Sequence, residues 1–271
     1  MLCTKALIQQ SFDKASSTYD AHNQVQQRVA SELLHKCKSL VSHCSWLLDL
    51  GCGPGVNSRA LSEISQHYIG MDLSPNMLTK ARQGLSAHND ASDAASMQFL
   101  QGDMDNLPFA DECLDVVFSS LAIQWSANPT NLFKHIERVL KPGGQAFIST
   151  LLSGTLEPLR SLRYQIDSVA QGHQQPPFEF WRNALSACQD LTLIDREVIE
   201  FKVFSADLHS LLMGIKGVGA GAPMHNGSDV QPRPLSVSVY RQLAQRYEAY
   251  RTLDGLPLNY QVVFLCLKKR A

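Results

Sequence analysis

Three carboxylates, Asp49, Asp72 and Asp103, sit in or directly after short apolar runs, and each has glycine beside it. In the first run, Trp46-Leu47-Leu48-Asp49-Leu50 opens into Gly51-Cys52-Gly53-Pro54-Gly55. Glycines of this kind accept φ > 0 and let a ligand approach bare backbone. Taken alone, such a turn could equally be a tight connection. The second run, Tyr68-Ile69-Gly70-Met71-Asp72, places a carboxylate 21 residues after Gly51. An acid there can accept hydrogen bonds from both hydroxyls of a ribose. A dinucleotide would be served as well, but the fingerprint G-x-G-x-x-G needs a third glycine where this chain has Val56. The third run, 97–101, is followed by Gly102-Asp103-Met104, another acid beside a turn.

The elements that must carry these groups follow from periodicity. The runs over 46–50, 68–72, 97–101 and 115–119 are too short for helices and end at glycine or polar punctuation, so they predict strands. Residues 56–65 predict a helix after the first turn. Ser74 fits an N-cap and Pro75 the first helical position of the next helix. A helix over 128–140 and a turn at Lys141-Pro142-Gly143-Gly144 lead to a fifth strand, 145–151. Strands alternating with helices predict a doubly wound parallel sheet with its site at the carboxyl strand ends. Before the sheet, 2–19 and 25–40 predict two helices, with Phe12, Ala15 and Tyr19 on one face. Tyr19 and His22 have polar tips that need partners if that face is buried, so they either line a site or pack inside. Residues 88–96 read as an exposed loop. Further on, 156–170, 177–188, 208–215 and 235–250 read as helices, and 198–204 and 261–267 as strands. A Gly/Pro-rich span, 217–234, lies between, and 268–270 read as a solvated basic tail.

The chain has 271 residues, 24 basic against 25 acidic side chains and a formal net charge of −1. A chain of this length can bury one large core and a modest lobe within a single domain: 1–44 as leading helices, 45–151 as the cofactor half, 152–271 as the substrate-side half. Near-neutral charge and no basic stripe with interleaved aromatics argue against a nucleic-acid partner. Seven scattered cysteines without CxxC spacing read as reduced thiols, with no metal site. No basic-then-apolar leader and no long apolar stretch are present, which predicts a cytoplasmic protein without a membrane partner. Oligomeric state is not legible.

With this strand order, Asp49, Gly51, Gly53, Asp72 and Asp103 resemble the class I S-adenosylmethionine-dependent methyltransferases. That resemblance implies a Rossmann-like, mostly parallel seven-stranded α/β sheet with helices on both faces, leading helices and a helical lid. It also implies S-adenosyl-L-methionine as cofactor and S-adenosyl-L-homocysteine as product. Asp49, Gly51, Cys52, Gly53 and Gly55 would surround the methionine part, Asp72 with Leu73 the ribose, and Asp103 with Met104 the adenine. Ser119, at the end of the fourth strand, would complete the cofactor set.

More specific segments narrow the resemblance. They are Phe12-x-x-Ala15-x-x-x-Tyr19-x-x-His22, Ser119-Ser120-Leu121-Ala122-Ile123-Gln124-Trp125, Ser149-Thr150-Leu151-Leu152-Ser153-Gly154-Thr155-Leu156, Ile215-Lys216-Gly217-Val218-Gly219-Ala220 and Leu256-Pro257-Leu258-Asn259-Tyr260. Together they resemble the malonyl-acyl-carrier-protein O-methyltransferases of biotin synthesis, over nearly the whole chain. This implies a carboxyl O-methyltransferase whose partner is an acidic carrier protein. The acceptor carboxylate titrates near ~4, so no general base and no catalytic triad is expected. Tyr19, His22 and Lys216 are positioning candidates, with Gln124 and Trp125 as further substrate-binding candidates. Lys216 is alternatively a solvated lysine, and Trp125 a core residue. Carrier docking would need a local positive patch, for which Lys202, Lys216, Arg233, Arg241, Arg246 and Arg251 are available. Arg241 and Arg246 share one predicted helix. The competing readings are another small-molecule methyltransferase (a free dicarboxylic acid or a quinone) and a non-catalytic cofactor-binding scaffold.

Overall fold

The computed structural model describes residues 4–86, 97–167, 174–220 and 235–271. The loop predicted over 88–96, most of the span 217–234 and Arg233 lie outside the described residues. Seven strands form one sheet in the order β3-β2-β1-β4-β5-β7-β6. They are β1 (Cys44–Leu50), β2 (Ser65–Asp72), β3 (Met97–Gln101), β4 (Leu114–Ser120), β5 (Leu140–Leu151), β6 (Leu191–Ser205) and β7 (Leu256–Lys269). The first five pair in parallel, while β7 runs antiparallel to both β5 and β6. The strand order reverses beside β1, between β2 and β4. There the carboxyl ends of the strands open a crevice, which is where ligands bind in sheets of this topology.

Successive residues of β1 serve opposite faces, so both neighbours in Leu47-Leu48 are fully buried. On one face Leu47, Phe118, Phe147 and Phe264 meet Val25, Val29 and Leu33 of α3 (Gln24–Leu40). On the other, Leu48, Val117, Ile148 and Val263 meet Phe133 and Ile136 of α6 (Pro129–Val139) and Trp181 of α8 (Phe178–Leu185). A third cluster joins Leu159 and Leu162 of α7 (Leu159–Ile166), Leu208 and Leu211 of α9 (Leu208–Gly217) and Leu243 and Tyr247 of α10 (Val237–Tyr247). These last helices stand over the start of β7, where Leu256 and Leu258 join them.

Several elements differ from the sequence expectation for identifiable reasons. The leading helix divides into α1 (Thr4–Ala15) and the single turn α2 (Tyr19–His22). Ser16, Ser17 and Thr18 hydroxyls donate back to the carbonyls of Asp13, Lys14 and Ala15, which competes with helix continuation. Tyr19 therefore belongs to a separate turn from Phe12. After the glycine turn only α4 (Ser58–Ser62) is helical, and Ser65 already opens β2. The predicted turn 141–144 is instead an irregularity within β5, with Leu114 paired to Leu140 but Val116 to Gln145. The helix α5 (Pro75–Ser86) begins as expected, the Ser74 hydroxyl accepting from the Met77 N–H at 3.1 Å. The antiparallel pair β6–β7 is much longer than the runs 198–204 and 261–267. The expected solvated tail is corrected at Lys269, which is buried, its Nζ donating to Leu140 O at 2.8 Å and pairing with Glu112 at 3.2 Å. No described helix is long and apolar enough to cross a membrane.

Candidate active site

The crevice holds a cavity of about 680 Å³, including its open mouth. Its floor comes from the carboxyl ends of four parallel strands: Leu50 and Gly51 after β1, Met71, Asp72 and Leu73 after β2, Asp103 and Met104 after β3, and Ser120 after β4. Its roof is the leading segment, with Lys5, Ile8 and Phe12 of α1 and Tyr19 of α2. Trp125 closes one wall and meets Phe12 edge-to-face with centroids 5.3 Å apart. That is a favourable arrangement of ring quadrupoles.

The glycine turn is held in place by the second strand. Gly51 N–H and Cys52 N–H both donate to Met71 O, at 2.7 and 3.1 Å. Gly51 has φ +77°, and a Cβ there would stand 2.3 Å from Ala122 Cβ, so this glycine serves the closeness of the two loops. Gly53 has φ +55°, yet a Cβ there would meet no atom within 4 Å. It borders the cavity and leaves its backbone accessible. Gly55 does not border the cavity: a Cβ would press on Ala81 of α5 and on Ser58. Its glycine meets a packing requirement.

Asp72 is the best-placed acid. Its Oδ2 accepts from Gly53 N–H at 2.9 Å and its Oδ1 from Ser74 N–H at 2.8 Å. Burial raises this carboxyl above the usual range, and those two N–H groups partly offset the rise. Each carboxylate oxygen has two acceptor sites, so capacity remains toward the cavity. Asp103 lies at the opposite end, where its Oδ1 takes Lys5 Nζ at 2.6 Å. Lys5 also reaches Asp105 at 2.6 Å. Burial alone would raise the Asp105 carboxyl, but hydrogen bonds from Lys5, Ser126 and the Ala127 N–H hold it below its ordinary value. Lys5 was not legible as a site residue, because its partners lie about a hundred residues away. Asp49 is buried beneath the turn, where Tyr68 Oη donates to it at 2.9 Å. Burial pushes its carboxyl up to about 7. With Cys52, Gly51, Gly53 and Ser120 it lines a smaller adjoining cavity, about 380 Å³, that also contains Tyr19 and Gln26. Burial, and then the Asp72 charge, raise the Tyr19 hydroxyl above its usual range.

Four expected site residues sit elsewhere. Ser119 is fully buried and donates to Leu50 O at 2.8 Å, so Ser120, its neighbour on the other side of the strand, borders the cavity. Gln124 turns inward: Nε2 donates to Leu121 O at 2.6 Å and Oε1 accepts from Thr150 at 3.1 Å. It clamps Leu121, whose φ of +49° is strained for a branched residue. Gln124 thus shapes the loop that carries Trp125 without facing the main cavity. Lys216 is exposed at the end of α9 and borders none of the cavities described. The glycines around it dock the leading segment: a Cβ at Gly217 would strike the His22 ring, and one at Gly219 the Phe12 ring. Thr18 and Ser11 hydroxyls seal this contact by donating to Gly217 O and Gly219 O, each at 3.1 Å. His22 accordingly faces a separate cavity behind α2. Among the described residues no group of His, Cys, Asp and Glu could hold a metal ion.

The comparisons agree with this geometry. A family model described as "Methyltransferase domain" matches residues 48–148. Malonyl-[acyl-carrier protein] O-methyltransferase of Herminiimonas arsenicoxydans is 32% identical over 96% of this chain and 94% of its own length. The protein of the same name from Marinomonas sp. (strain MWYL1) is 30% identical over 99% and 95%. Biotin biosynthesis bifunctional protein BioHC of Cellvibrio japonicus is 34% identical over 98% of this chain, which spans only 50% of that longer protein. Among solved structures, phosphoethanolamine N-methyltransferase 2 of Haemonchus contortus in complex with S-adenosyl-L-methionine superposes with a TM-score of 0.61 at 20% identity, covering 100% of this chain and 61% of its own. YcgJ of Bacillus subtilis superposes with a TM-score of 0.60 at 17% identity, covering 89% and 99%. At these identities the structures speak for the fold alone.

Proposed function

The chain belongs to the malonyl-[acyl-carrier protein] O-methyltransferase family, and from that membership we propose that it methylates the free carboxylate of a malonyl thioester on acyl carrier protein. The observation that carries the reading is identity of 30% or more along nearly the full length of two proteins so named. When bound, S-adenosyl-L-methionine supplies a sulfonium methyl for the carboxylate oxygen and leaves as S-adenosyl-L-homocysteine.

The residues present fit that cofactor. The open space over Gly53 suits a group lying on bare backbone, and Asp72 retains acceptor capacity for a ribose diol. Asp103 and Met104 stand at the far end for the adenine, with Met71, Met77, Leu73 and Ile8 as apolar walls. On this reading Asp49, Cys52 and Ser120 attend the methionine end. The acceptor arrives already ionised, so the chain's task is alignment and exclusion of water. Phe12, Trp125 and Tyr19 form a largely apolar cover above the glycine turn, and that cover favours a step in which opposite charges are lost. Tyr19 can donate to the carboxylate while its own proton is held firmly.

The test is a methyl-transfer assay with malonyl-carrier protein, malonyl-CoA and free malonate. Methyl ester formed preferentially on the carrier-protein thioester is expected; preference for a free acid would overturn the reading. In parallel, Asp72→Ala should weaken S-adenosyl-L-methionine binding through loss of charge-assisted hydrogen bonds, roughly 1.5–3 kcal/mol each. Gly53→Val should remove binding sterically, since its side chain would fill the cofactor's approach. Wild-type affinity in either variant, by titration calorimetry, would take that residue out of the site.

A further inference from the structure

We propose that the separate cavity behind α2, bounded by α9 and the start of β7, holds the thioester arm of the acceptor. This rests on the malonyl-thioester reading above. The cavity encloses about 600 Å³ including its mouth and opens at the same carboxyl edge of the sheet as the main site. Its walls mix apolar side chains, among them Val203, Phe204, Leu211, Ile215 and Leu258, with the polar Gln24, Gln26, Ser205 and Ser210. It stands in series with the cofactor crevice. Tyr19, Gly51, Gly53 and Ser120 border both the main cavity and the smaller one beside it. Gln26 borders that smaller cavity and the one behind α2. Gln26 is thus the common wall of the last two cavities, and on this proposal the arm passes it.

Three polar tips stand along this route. Gln26 Oε1 is buried with no hydrogen-bond partner among the described residues. Such an orphan is costly unless something else completes it. The His22 imidazole and the Tyr260 hydroxyl border the same space, and burial pushes the latter up to about 12, so it remains a donor. A pantetheine arm is slender and largely apolar between two amide groups, each offering one donor and one acceptor. A carboxamide, an imidazole and a phenol beside apolar side chains match that chemistry. Carboxylate at the Tyr19 end and amides along Gln26, His22 and Tyr260 would fill the route from the methyl donor outward.

Gly214 gives an independent reason to read the space as kept open. It lies in the interior of α9 and borders the cavity, and a Cβ there would meet no atom within 4 Å. Glycine weakens a helix relative to alanine, so alanine would fit and would hold α9 better. What glycine provides at this point is room.

The experiment is a substitution series at that glycine, Gly214→Ala, Gly214→Leu and Gly214→Trp, with Gln26→Leu as a second site. Expected at position 214 are wild-type S-adenosyl-L-methionine affinity, no fall in melting temperature, and kcat/KM for malonyl-carrier protein falling in order of side-chain volume. The tryptophan variant should lose at least about 100-fold, mostly in KM, and Gln26→Leu about 10-fold. If wild type turns over malonyl-carrier protein and Gly214→Trp and Gln26→Leu both match it, the arm does not use this cavity and the inference is overturned. If wild type itself fails with malonyl-carrier protein while methylating another acceptor, the functional reading has failed, and the occupant named here falls with it.

Discussion

Asp49 shows how much of a site one buried residue can decide. Its carboxyl lies under the glycine turn, held by Tyr68, whose hydroxyl also shares a hydrogen bond with Ser58 at 2.7 Å. Burial, with the nearby Asp72 charge adding to it, lifts this carboxyl from 3.8 to about 7, the Tyr68 hydrogen bond acting in the other direction. The fold therefore favours the protonated form. The stability so gained is complete below about pH 4 and is lost as pH rises through about 7. Asparagine keeps an acceptor for Tyr68 and cannot ionise. We expect Asp49→Asn, in the ligand-free protein, to gain on wild type between pH 5 and pH 8, by at most about 4 kcal/mol. Denaturant midpoints measured across that range check it; parallel pH profiles would show that Asp49 is not held protonated. At this scale the sequence disclosed residues whose type alone dictates their use. Asp72, Asp103, Gly53 and Trp125 border the cavity as their chemistry and spacing suggested. Ser119 turns inward because a strand alternates faces with every residue, and it is the next residue, Ser120, that borders the cavity. Lys5 was invisible for another reason: its partners, Asp103 and Asp105, lie about a hundred residues along the chain.

Helical periodicity and short apolar runs revealed the parallel half of the sheet, because buried strands of a doubly wound sheet are nearly continuous in hydrophobicity. The antiparallel pair β6–β7 was only half legible. As the edge strand, β6 carries Asp195, Arg196, Glu197, Glu200 and Lys202 where they face water, and such charges both hide the strand pattern and guard the edge. The leading segment was read as two helices packed on the sheet, and its role as a roof needed the third dimension. Besides Lys5, Ser11 and Thr18, Asp13 at the end of α1 fixes that roof. Its Oδ1 accepts from the Ser74 hydroxyl at 2.6 Å and from the Asn76 N–H at 3.3 Å, at the start of α5. Its carbonyl accepts from Asn76 Nδ2 at 3.3 Å. Asp13→Ala should loosen α1 over the crevice at a cost of about 1–2 kcal/mol, so that S-adenosyl-L-methionine leaves some 5–30 times faster. Stopped-flow displacement measures this directly. An unchanged off-rate would mean that α1 does not cover the bound cofactor.

For the molecule as a whole, the question is how a chain with a net charge of −1 would receive the acidic carrier protein that the proposed function implies. The sequence offered Arg241 and Arg246, and both are exposed on α10. Neither borders the crevice or the channel that leads from it. A different pair stands where the channel meets the surface. Gln24, Val203 and Phe204 border both the cavity behind α2 and an open groove that also holds Arg28, Glu200 and Lys202. Arg28 Nη1 donates to Lys202 O at 3.0 Å and its guanidinium lies 5.3 Å from the centre of the Phe201 ring, so it is braced. Lys202 pairs with Glu200 at 3.0 Å, and Gln261 Nε2 draws on the same carboxylate at 2.8 Å. Exposed pairs of this kind contribute little stability and exchange partners readily, leaving the cations available to an incoming anion. Rim charges act mainly on the association rate, and salt screens them over about 10 Å at 0.1 M. Arg28→Glu with Lys202→Glu should therefore lower kcat/KM for malonyl-carrier protein about tenfold at low salt, with the difference shrinking as salt rises. Turnover of malonyl-pantetheine, which has neither carrier nor phosphate, should stay at the wild-type level. Arg241→Glu with Arg246→Glu should change neither. Slowing confined to this second pair would move the docking face to α10. Equal slowing of carrier and pantetheine substrates by the first pair would place Arg28 and Lys202 in the architecture of the channel itself, with no part in steering the partner toward it.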